Sequence, residues 1–105
     1  MKTLHDLTAD KLERADSPAR QALLAIPLAN IDRWLSNGHT APHRLEQWRQ
    51  ILLRAQADEA GFRELLILLR DRSEATGRLL EFAPFAGVLS RQERRQAAPE
   101  CAYNF

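Results

Sequence analysis

The feature that most constrains this chain is LLILL at residues 65 to 69, a run of large apolar side chains with no polar interruption. Asp58 in front of it is a good N-cap, and the pattern predicts a helix over 59–70. A helix that is apolar nearly all round belongs at the centre of a bundle or across an interface. No segment rich in β-branched residues alternates with period two, and Val88 is the only valine, so strands are not expected.

Other helical signals follow the same logic. Leu4, Leu7, Leu12 and Ala15 suggest a short or broken first helix, with Thr8 as an internal N-cap. Ser17 before Pro18 starts a second, whose stripe runs Ala22, Leu24, Leu28, Ile31, Trp34 and Leu35. Pro27 should kink or break it near 23–25, and Ser36, Asn37 and Gly38 end it. Thr40 and Pro42 open a third, striped by Leu45, Trp48, Leu52 and Ala55. Ser73 caps a short fifth that passes Leu79 and Leu80 and ends before Pro84. Ser90 with Glu93 forms a capping box for a basic terminal helix, RQERRQAA, closed by Pro99.

These elements predict an all-α fold, a single compact bundle or orthogonal array of five to six helices around 59–70. With 105 residues there is room for one core. Residues 1–16 and 99–105 are expected to be loosely attached to that single domain. The 15 basic and 14 acidic side chains leave a formal charge of +1, so there is no global attraction to nucleic acid.

Cys101 stands alone, which excludes an intramolecular disulfide and suits a reducing compartment. The charged N-terminal residues do not resemble a signal peptide, and no apolar stretch reaches membrane-spanning length. A cytoplasmic location away from membranes is therefore expected. Arginine greatly outnumbers lysine, and alanine and leucine abound, a composition typical of GC-rich bacterial genomes.

Chemistry-bearing patterns are sparse. His39 and His43 are four apart, but Pro42 separates them and no Cys pair or HExxH motif completes a ligand set, so no metal or cofactor is expected. Cys101 has no histidine nearby in sequence, and the serines at 17, 36, 73 and 90 read as helix caps or stops. The glycines at 38, 61, 77 and 87 are scattered, with no phosphate-binding loop among them. Arg33, five intervening residues and His39 resemble the Arg-x(4–6)-His motif of the HEPN ribonucleases, small helical bundles. That resemblance implies an RNA-cutting site assembled across a dimer, with Arg33 and His39 as its catalytic pair. Gly38 is expected to end the helix before His39, which separates the two side chains.

Two surfaces remain. Arg91, Arg94 and Arg95 form the basic candidate for phosphate contacts, diluted by Glu93. The segment 79–90, LLEFAPFAGVLS, carries large apolar groups where turn residues would be ordinary. It either folds back over one end of the bundle or forms a docking surface. Leu68, Phe82, Phe85, Val88, Tyr103 and Phe105 are the candidate partner-binding residues, the last two able to clip onto the fold or a partner. The first reading is a non-enzymatic protein–protein interaction or regulatory module, adaptor- or antitoxin-like, working as a homo-oligomer or with a protein partner. A nucleic-acid-binding regulator using Arg91, Arg94 and Arg95 comes second, and a HEPN-like ribonuclease third.

Overall fold

The computed structural model describes residues 2–97 and is all-helical, with no strand among those residues. In chain order the helices are α1 (Leu4–Arg14), α2 (Ser17–Ser36), α3 (Pro42–Ala57), α4 (Glu59–Arg70), α5 (Glu74–Leu80) and α6 (Arg91–Arg94). Helices α3 and α4 form a tight hairpin. Helix α4 also packs on α1, and α2 lies against α3. Their shared core contains Leu12, Leu24, Ile31, Leu45, Trp48, Leu52, Phe62, Leu65 and Leu69.

Local chemistry explains most boundaries. Thr3, not Thr8, caps α1, because Asp6 stands three residues later and completes a reciprocal capping box. Thr8 is instead buried, its hydroxyl donating to the Leu4 carbonyl oxygen at 2.8 Å. The N-terminal segment is thus integral rather than loosely attached, with Leu4, Ala9 and Leu12 buried. Arg70 ties α4 to it through Asp10 and Glu13, both at 2.8 Å.

Asp16 caps α2 by accepting from the Ala19 amide at 2.9 Å, so Ser17 and Pro18 form its first turn. The helix does not break at Pro27 and is one element from Ser17 to Ser36. Proline removes a single amide donor there, a local loss that the buried packing around Pro27 outweighs.

Thr40 does not cap α3. The N-cap is Ala41, which has no side-chain cap bond, and its own amide donates to His39 Nδ1 at 3.0 Å.

The α4 boundaries agree with the sequence pattern, and Asp58 accepts from the Gly61 amide at 2.7 Å. Its all-round apolar character does not survive in three dimensions. Leu65, Leu66 and Leu69 are buried, while Ile67 is 68% exposed on the outer face with Arg63 and Glu64. Gly61 lets α4 approach α3, since a Cβ there would lie 2.2 Å from the Arg54 carbonyl oxygen. Ser73 and Ser90 cap α5 and α6 as expected, although α6 is only four residues long.

Candidate functional site

The segment after α5 folds inward. Asn30 of α2 is buried, and its Nδ2 donates to the carbonyl oxygens of Pro84 at 2.9 Å and Ala86 at 2.8 Å. Phe85 meets Trp48 edge-on with centroids 5.5 Å apart, and Trp48 Nε1 donates to the Leu79 carbonyl oxygen at 3.0 Å. Phe85 and Val88 are 0% and 1% exposed. As partner-binding residues on the folded chain they are therefore corrected: the segment closes the bundle because Asn30 satisfies its carbonyls. Phe82 and Leu68 are half-buried at the core's edge. Tyr103 and Phe105 lie outside the described residues.

Arg33 and His39 are occupied structurally. Arg33 Nη2 donates to Asn30 Oδ1 at 2.6 Å, supporting the amide that holds the 84–86 backbone. His39 comes after Gly38, whose φ is +77°, and stacks on Trp34 with centroids 6.1 Å apart while Phe82 meets it edge-on. The two residues share no helix face, which is the arrangement the HEPN-like motif would need. His43 is exposed, and among the described residues no cluster of three or more potential ligands could hold a metal ion. Burial holds the His5 imidazole down to about 4, with Arg72 pushing the same way and Asp6 opposing.

The basic candidates stand on α6 and at its C-cap, Arg95. Arg91 and Arg95 are exposed and Arg94 is half-buried. Glu93 between them accepts from Lys11 Nζ at 2.8 Å and from the Ser90 amide at 2.8 Å. Lys11 first, then the Ser90 bond, bring the Glu93 carboxyl down to about 2.

A further concavity lies where no sequence motif falls. The C-terminal end of α1 and the first half of α2 form an open groove of ≈ 450 Å³ lined by Lys11, Arg14, Ala15, Ala19, Ala22, Leu23 and Ile26. Its walls are almost wholly apolar, and the two cations are the charged residues in its lining. Helix α2 carries Leu24, Pro27 and Ile31 into the core, leaving Ala19, Ala22, Leu23 and Ile26 as a second apolar stripe. Their spacing of three, one and three residues was the available signal, hidden by the stronger core stripe beside it. Gly87, with φ +93°, approaches Ile26 from the folded-back segment.

Among the described residues no helix is long and apolar enough to cross a membrane. Comparisons with family models, curated proteins and solved structures found no match to this chain.

Proposed function

We propose that this chain is a non-enzymatic interaction module, of the adaptor or neutralising-partner kind, that receives an apolar segment of another protein between α1 and α2. The open apolar groove carries this reading. Its volume falls within the range of about 300–1,000 Å³ common to ligand sites, and a concave apolar surface with a charged rim is a frequent mark of recognition. Three alanines keep the walls low, so a partner can approach closely, while Leu23 and Ile26 offer larger apolar contacts. The interaction surface is thus assigned to the groove, in place of the buried Phe85 and Val88.

Site-specific photo-cross-linking tests this. A photoreactive residue at Ala22 should yield a cross-link to one defined polypeptide, lost in Leu23→Asp, whereas one at exposed Gln50 should not. RNA cleavage abolished by Arg33→Ala, or salt-sensitive duplex binding abolished by reversing Arg94 and Arg95, would overturn it.

A further inference from the structure

We infer that the segment received between α1 and α2 is an amphipathic α-helix of another protein, with a carboxylate placed to meet Arg14. This rests on the reading of the groove as a docking site and specifies the conformation and charge of what docks there.

The backbone of the walls decides the conformation. From Ala22 onward the α2 wall is the interior of a helix, where peptide groups bond one another. Pro27 frees only one carbonyl of that interior, Leu23's, and at the near end the Ala19 amide is taken by Asp16. A strand needs a row of open donors and acceptors to pair with. Laid along these apolar walls, an extended segment would bury its own amides and carbonyls without partners. A helix brings its peptide groups already bonded.

The side chains fit the same occupant. Ala19, Ala22 and Ile26 follow at intervals of three and four residues, the spacing by which one helix meets another along a seam. Ala19 and Ala22 are exposed and short, so a second helix can lie close, while half-buried Leu23 and Ile26 give it larger surfaces to pack on. Seven residues separate Ala19 from Ile26, about 10 Å of helix. That length matches two turns of a docked helix with apolar side chains at i, i+3 or i+4, and i+7.

The two cations of the lining differ in what they hold. Lys11 Nζ lies 2.8 Å from both Glu93 Oε1 and the Val88 carbonyl oxygen, so it is engaged within the fold. Arg14 is exposed, and its side chain forms no ion pair or hydrogen bond with another described residue. It stands where α1 gives way to α2, at one end of the apolar stripe. A guanidinium there is complementary to a carboxylate. The docked helix therefore carries Asp or Glu beside its apolar face, at the end that lies over Arg14.

The test is a selection on the purified full chain. Random peptides long enough for about four helical turns, displayed on their own mRNA, are selected for binding and counter-selected on Ala22→Arg. That variant fills the groove from an exposed position, and its melting curve should match the parent's. Survivors should show apolar residues at helical spacing with an acidic residue beside them, and their synthetic versions should gain helicity in circular dichroism on binding. Arg14→Gln should weaken a selected peptide by about two- to fivefold. It should not change the affinity of the same peptide with its acid replaced by the amide. Groove-dependent binders that lack helical spacing, or that ignore Arg14→Gln, would overturn the inference and leave the docking site standing. A library that yields no groove-dependent binder would overturn both. Leu23 and Ile26 methyl signals that shift when the chain alone is diluted would assign the groove to a second copy and overturn the inference as well.

Discussion

Asn30 on α2 holds the carbonyl oxygen of Pro84 at 2.9 Å, and the same amide nitrogen reaches Ala86. This bond pair turns a segment rich in large apolar groups into the closing piece of the core. Asn30→Ala leaves two carbonyls without their donor, and an uncompensated buried polar group costs about 1–3 kcal/mol. The expected loss is about 3 kcal/mol, read as a fall in Tm of about 10 °C or more. Asn30→Asp, which cannot donate, should fare no better. A melting curve unchanged in both variants would refute this anchoring role.

Gly61 and Gly77 make opposite predictions from one kind of substitution. A Cβ at 61 would meet the Arg54 carbonyl oxygen at 2.2 Å, so α3 and α4 must separate. Gly61→Ala should destabilise by about 3 kcal/mol. At Gly77, inside α5, a Cβ meets nothing within 4 Å, and Gly77→Ala should stabilise by about 0.5–1 kcal/mol through lower unfolded-state entropy. Urea titrations of the two variants should bracket the parent.

What could be read from sequence divides along the range of the forces involved. The bounds of α4 and the caps at Ser73 and Ser90 were legible because a cap is made within four residues. Where two residues competed for a cap, as with Thr3 and Thr8 or Asp16 and Ser17, the outcome turned on a third: Asp6 three residues after Thr3 tips the first case. His39 was not legible as the acceptor for the Ala41 amide, since histidine is rarely a capping residue. The burial of Phe85 and Val88 depends on Asn30, 54 residues before Pro84, and no periodicity reports that. The groove was hidden for a similar reason, because it forms only where the C-terminal end of α1 and the first half of α2 are brought side by side.

The LLILL run offers a contrast within three residues. Leu69 is fully buried and Ile67 is 68% exposed. Leu69→Ala should cost about 2–5 kcal/mol, while Ile67→Ser should stay within about 0.5 kcal/mol of the parent. Equal losses in chemical denaturation would mean that Ile67 is covered in solution, by a second copy for instance.

Stability should fall on mild acidification. Burial lowers the folded-state pKa of His5 from its ordinary 6.5 to about 4, so between those pH values the unfolded chain binds the extra proton. The stability gap therefore shrinks as pH drops through that window, by about 3 kcal/mol when complete. His5→Gln should flatten this slope between pH 7 and 4. Glu93, lowered from 4.5 to about 2, works in a lower window: its contribution is present above pH 4.5 and disappears as pH falls through 2. Denaturation midpoints at a series of pH values, with and without His5→Gln, separate the two groups.

Lys11 and Glu93 lie 2.8 Å apart with side chains 27% and 32% exposed, a half-buried pair that fastens α6 to α1. Solvent screening limits such a pair to a coupling of about 0.5–1 kcal/mol. Lys11→Met should nevertheless cost more than Glu93→Gln, because it also strands the Val88 carbonyl that Lys11 Nζ holds at 2.8 Å. In a double-mutant cycle at pH 7 the combined variant should therefore lose less than the two single losses added together. Strict additivity would show that the two side chains do not act as a pair, and that α6 is held on α1 by its other contacts.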